Sequence, residues 1–204
     1  MNTIDVSSGF DEETARAEVY GLLSMLYYAP PAPDLLAQLR VAVTEAPVAG
    51  GFLEAPWQAV IAASRALTDQ QIKAEYESLF GGVGKPDVYL FGSFYLSGFL
   101  NEKPLARLRE TLIQYGLERD QAMIDTEDHI AYVCEVMRYL IAGDDVSVSN
   151  LTNQKNFFGE HVHTWVMNLC DTLANHPRAI FYKTLAEFTK SFMNVESQGF
   201  DLLV

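Results

Sequence analysis

Apolar residues recur at close to 3.6-residue intervals along nearly the whole chain, and glycine and proline cut that pattern into helix-length pieces. Residues 11–28 set Ala15, Val19, Leu22, Leu23 and Leu26 on one stripe, which Pro30-Pro31 ends. Pro33 suits the first turn of a second helix carrying Leu35, Leu36, Leu39 and Val43, before a loop at 47–51. A third helix runs from Glu54 to Leu67. Thr68-Asp69-Gln70-Gln71 reads as a capping box opening a fourth, with Ile72, Tyr76, Leu79 and Phe80 turned inward.

Residues 81–92, with four glycines and a proline, form a loop, and the aromatic stretch Phe91 to Leu96 begins another helix. Pro104 to Tyr115 is a helix ended by Gly116. Thr126 to Ala142 is another, with Thr126 as its cap, Ile130, Val133, Cys134, Met137 and Leu140 as its stripe, and Gly143 as its terminator. The polar segment 144–149 reads as a hinge, followed by a long helix over 150–175 and a last one over 178–194. No alternating strand and no fixed repeat appears. The expectation is an all-α fold: one globular helical domain, 1–204, of about eight or nine helices, with sub-lobes 1–143 and 150–204 about the hinge.

Composition narrows the function. The 27 Asp and Glu outnumber the 14 Lys and Arg, for a formal charge of −13, and no run of three cations exists. Nucleic acid and anionic lipid are therefore disfavoured as partners, since both need a basic face. The chain is 49% hydrophobic with 12 Phe, 10 Tyr and 2 Trp, so a disordered chain is excluded. Cys134 and Cys170 lie in apolar helical patterns and read as buried free thiols of a reducing compartment. Residues 1–5 show neither a basic nor an apolar leader region, and no apolar run approaches the roughly 20 residues that span a bilayer. A cytoplasmic protein without stable membrane insertion is expected.

Few constellations carry chemistry. Phe80-Gly81-Gly82-Val83-Gly84-Lys85-Pro86 lacks the first glycine of a phosphate-binding loop, and Pro86 replaces its hydroxyl. Glu160-His161-Val162-His163 holds the chain's single Glu-x-x-His pair, where a di-iron bundle needs two. A small helical metal or haem protein using His129, His161 and His163, with His176 and Glu160 in reach of the idea, stands as the alternative reading. Asp125-Thr126-Glu127-Asp128-His129 places carboxylates at a helix start, where the dipole alone accounts for them.

Four segments together resemble the TorD/DmsD/NarJ family of chaperones. Tyr76-Glu77-Ser78-Leu79-Phe80 is similar to the family's aromatic-x-x-Leu-Phe helix end, and Gly92-Ser93-Phe94-Tyr95-Leu96 to its Gly-Ser-x-Tyr-Leu segment. Thr126-Glu127-Asp128-His129-Ile130 resembles its Pro-x-Asp-His motif, with threonine in place of proline. Gln154, Phe157, His161 and Trp165, followed by Phe181-Tyr182, resemble its C-terminal pattern. Phe91 stands where some DmsD-like members carry tryptophan.

The resemblance implies a non-catalytic, cytoplasmic function without a cofactor of its own: binding the twin-arginine leader and the apo-form of a molybdenum-cofactor oxidoreductase before export. It implies a leader site on Tyr76, Leu79 and Phe80, on Phe91, Gly92, Ser93 and Tyr95, and on Glu127, Asp128 and His129, with no metal. A cationic leader with an apolar run calls for carboxylates beside an apolar groove. Residues 118–128 carry a local charge of −4, from Glu118, Asp120, Asp125, Glu127 and Asp128 against Arg119. Asp128 is expected to pair with a leader arginine while His129 holds it through a hydrogen bond. Guanine nucleotide is expected to bind weakly at most, and both a monomer and a domain-exchanged dimer remain open.

Overall fold

In a computed structural model that describes residues 6–42, 51–81, 84–120 and 122–202, helix is the only extended regular structure among the described residues. The elements are α1 (Val6–Tyr28), α2 (Pro33–Val41), α3 (Glu54–Ala66), α4 (Asp69–Phe80), α5 (Gly92–Ser97), α6 (Lys103–Gln114), α7 (Ile130–Ala142), α8 (Leu151–Phe157), a π-helical segment (Phe158–Val162), α9 (His163–Ala174) and α10 (Phe181–Asp201). The stretch expected as one helix over 150–175 is α8, the π segment and α9 in direct succession. The all-α expectation holds. Val43 and most of the loop expected at 47–51 lie outside the described residues, as do Gly82 and Val83.

Local chemistry sets the boundaries. Pro33 opens α2, and Asp34 and Arg40 complement its dipole at the two ends. The expected capping box is present at α4: Thr68 Oγ1 accepts from the Gln71 amide, and Gln71 Oε1 accepts from the Thr68 amide at 2.9 Å. Gly98 (φ +81°) ends α5 and Gly116 (φ +67°) follows α6, both in the left-handed region that glycine tolerates.

The chain divides into two compact units, one holding α1 with residues 91–162, the other the described residues of 29–90 and 163–204. In the first unit α1 lies against α7. Its buried face differs from the expected stripe: Ala15 is exposed and Val19 and Leu22 are half-buried, whereas Ala17, Tyr20, Leu23, Leu26 and Tyr27 are buried. Two tyrosines carry that face because the ring body is apolar even where the tip is polar, so counting aliphatic residues alone rotates the stripe. Gln154, 2% exposed, ties three elements together, accepting from Arg16 of α1 and donating to the Leu140 carbonyl of α7. The segment 144–149, expected as a hinge, lies inside this unit as a hydrogen-bonded turn. Asp145 accepts from Ser147 through its side chain and from the Val148 amide through its carbonyl.

In the second unit α10 packs on α9 and α3 and buries Phe181, Tyr182, Leu185, Phe188, Phe192 and Met193. Each such side chain removed from water contributes about 1.5–3 kcal/mol. Trp57 of α3 meets Phe188 with ring centroids 5.4 Å apart. Arg40 clamps the α3–α4 corner, donating to the carbonyls of Ser64 and Leu67 and pairing with Asp69 at 2.6 Å. No described helix is long and apolar enough to cross a membrane.

Candidate functional site

In the first unit two motif segments meet. An isolated antiparallel bridge pairs Phe91 with His129, and the Gly92 amide donates to the Asp128 carbonyl at 2.9 Å. The Asp128 carboxylate, 4% exposed, accepts from the Ser93 amide at 2.8 Å and from the Thr126 hydroxyl at 2.6 Å. It therefore serves the start of α5, where orphan amides need an acceptor and Phe91 offers no side-chain cap. Ser93 is fully buried, and its hydroxyl accepts from Asn101 at 3.3 Å, closing the turn after α5.

This geometry corrects two expectations. Thr126 does not cap α7. The helix begins three residues beyond the expected Glu127, at Ile130, and its cap is His129, whose Nδ1 accepts from the Ala131 amide at 3.1 Å. Nor does His129 hold the Asp128 carboxylate: that carboxylate is taken by Ser93 and Thr126, and the His129 Nδ1 by its own helix. With Nδ1 as acceptor, a neutral ring carries its proton on Nε2. Burial pushes the His129 pKa down to about 4, against the opposing pull of Asp125 and Asp128, so the imidazole is neutral at pH 7.

The rest of the acidic stretch is less uniform than its charge count. Glu127 pairs with Arg109 of α6 at 2.8 Å. Burial works to raise its pKa, but the Arg109 hydrogen bond and charge prevail and hold it below the usual carboxylate range. Asp125 is half-buried beside an aromatic group. Phe91 and His129 meet edge-on with ring centroids 5.1 Å apart, His129 and Tyr132 at 5.6 Å, and Tyr132 and Tyr28 at 5.8 Å. Burial first, then Tyr28 and the Asp125 charge, push the Tyr132 phenol up to about 12. Tyr28 is 43% exposed, so aromatic surface lies beside a half-buried carboxylate here, while the Tyr132 hydroxyl is buried.

Tyr76, Leu79 and Phe80 belong to the second unit. Leu79 is fully buried, while Tyr76, Phe80 and Tyr182 form a mutually edge-on triad with centroids 4.9–5.7 Å apart. Beside them Glu75, which the sequence does not single out, accepts from the amides of Ile180, Phe181 and Tyr182 at 2.8–3.1 Å and so fixes where α10 begins. Tyr95 is half-buried against Phe94.

The C-terminal pattern is structural. Phe157 and Trp165 are buried, and His161 Nε2 lies 2.8 Å from the Thr111 hydroxyl, its pKa lowered by burial. Among the described residues no three His, Cys, Asp or Glu side chains converge so as to hold a metal ion, and the helical metal or haem reading gains no support. Nothing in the sequence alone singles out Tyr28, Tyr132 or Arg109. The signal for Arg109 was faint, a basic residue on the helix preceding an acidic loop.

The nitrate reductase delta subunit family matches residues 46–171, more than half of the chain. Chaperone protein TorD from one strain of Vibrio cholerae serotype O1 is 23% identical over 205 residues, covering 93% of this chain and 93% of its own. The protein of that name from another strain of the serotype is 23% identical over 204 residues, covering 92% of this chain and 93% of its own. The chain belongs to the nitrate reductase delta subunit family, in keeping with the resemblance of its motifs to the TorD, DmsD and NarJ chaperones.

Proposed function

We propose that this protein is a cytoplasmic, non-catalytic, system-specific chaperone that binds the twin-arginine leader and apo-form of a molybdenum-cofactor oxidoreductase until cofactor is inserted. The observation that carries the reading is the junction of the Phe91-Gly92-Ser93 and Asp128-His129 segments, which leaves Asp125 half-buried beside the Tyr28–Tyr132 pair and Glu127 half-buried in its pair with Arg109. In this reading Asp128 and His129 are positioning residues. One holds the start of α5 and the other starts α7, and both carboxylates that meet a cationic peptide lie on the loop they fix. Phe91 and Tyr95 supply aromatic surface in the same unit, whereas Tyr76, Leu79 and Phe80 pack within the second unit. The TorD name of the relatives supports the chaperone role, and the family supports a redox-enzyme client.

The test is affinity capture from the source cell followed by mass spectrometry. Recovery of a molybdoenzyme with its leader still attached is the expected result; recovery of none contradicts the proposal.

A further inference from the structure

We infer that the open groove between α1 and α7 seats the apolar run of a cationic leader. The inference rests on the leader-binding reading above and gives the leader a place and a direction. The groove encloses about 630 Å³ and is floored by Gly21, Leu22 and Met25, with Glu135 and Arg138 on the opposite helix. It lies wholly within the first unit.

Helix α1 is apolar on two faces. Tyr20, Leu23 and Tyr27 enter the core, whereas Leu22, Met25 and Tyr28 follow one another at three-residue steps on a second, open face. A helix with one core needs only one such face. Met25 is 53% exposed, and methionine adapts its shape to varied apolar partners. Gly21 keeps the floor low: a Cβ there would stand 3.0 Å from the Arg138 Cδ, so glycine lets the arginine stem lie across the helix.

Charge selects the occupant. Arg138 is spent on Glu135 at 2.8 Å, which leaves exposed Glu18 to set the sign of the rim. The groove runs toward the Tyr28–Tyr132 pair, next to Asp125, because Met25 is one turn before Tyr28 and Glu135 one turn beyond Tyr132. A peptide with arginines at the Asp125 end and an apolar run along Met25 and Leu22 matches both the sign and the order of these groups.

Two fluorescent probes separate the claims: a peptide of two adjacent arginines followed by a leucine–alanine run, and the same arginines followed by a serine–glycine run. Met25→Glu should weaken the first by about tenfold, since a charge would be buried beneath the apolar run, and should not weaken the second. Met25→Ser, which adds no charge, should weaken the first in the same direction by less, with circular dichroism reporting an intact fold. Unchanged affinity of the first probe in both variants overturns the groove assignment and leaves the leader-binding reading standing. If light scattering finds a wild-type dimer that Met25→Glu dissociates without loss of probe binding, the groove joins two copies of the chain and the assignment is overturned. Failure of the wild type to bind either probe removes the leader-binding reading itself.

Discussion

The Asp128 carboxylate accepts the Ser93 backbone amide at 2.8 Å from 35 positions along the chain, so an acidic motif residue is the cap of a distant short helix. Asp128→Ala leaves that buried amide and the Thr126 hydroxyl without their acceptor and should cost about 1–3 kcal/mol in urea unfolding. Asp128→Asn, which keeps an acceptor, should recover part of the loss. Wild-type stability in the alanine variant would show that Asp128 has no part in holding α5.

Glu75 plays the same part in the second unit, where it receives three consecutive amides at the start of α10. Glu75→Ala should destabilise by about 1.5–3 kcal/mol, the range for hydrogen bonds to a charged group, measured by denaturant unfolding. The aromatic triad of Tyr76, Phe80 and Tyr182 sits beside that cap, so its near-ultraviolet circular dichroism should weaken in the same variant.

His129 makes stability depend on pH. Its folded pKa is about 4 against 6.5 for an ordinary histidine. Above pH 6.5 both folded and unfolded chains hold it neutral. As pH falls below 6.5 the unfolded chain takes up a proton that the folded chain refuses until about 4, so stability falls across that window, by on the order of 3 kcal/mol when complete. His129→Asn keeps a good capping acceptor and removes the titration. Its stability should decline less between pH 6.5 and 4 than that of the wild type; parallel declines would locate the dependence elsewhere.

Cys134 and Cys170 are both fully buried, and burial, with Asp171 adding to it, pushes the Cys170 thiol up to about 12. A thiolate-directed reagent should leave both unmodified in the native protein and label both after unfolding. Rapid labelling of native protein would contradict their burial.

Much of the fold is legible in the sequence because its signals are local. The Thr68–Gln71 capping box, Pro33 and Gly116 act within a few residues, and α2, α4 and α6, which they bound, lie close to where the sequence pattern puts them. What the sequence hides is bonding across long separations. Thr126-Glu127-Asp128 reads as a helix start because those residue types favour one, yet the Asp128 side chain answers a stronger demand from Ser93 and the helix opens at Ile130 instead. Glu75 is unremarked for the same reason: its partners lie more than a hundred residues away. The acidic count over 118–128 likewise cannot reveal that Arg109 engages Glu127.

That pair offers a further handle. Arg109 is about half exposed, so Arg109→Ala should change stability by no more than about 1 kcal/mol. It releases the Glu127 charge, and binding of an arginine-bearing peptide should tighten by about twofold in fluorescence anisotropy. Weaker binding would mean that Glu127 needs its partner in order to be presented.

Whether the acidic loop held by Asp128 and His129 receives a cationic leader is decided by calorimetric titration of the arginine–leucine–alanine probe into wild type and Asp125→Asn at low and high salt. Binding should be measurable, weaken as salt rises and fall by roughly tenfold or more in the variant. No binding, or an affinity indifferent to both salt and Asp125, would contradict leader binding at that loop.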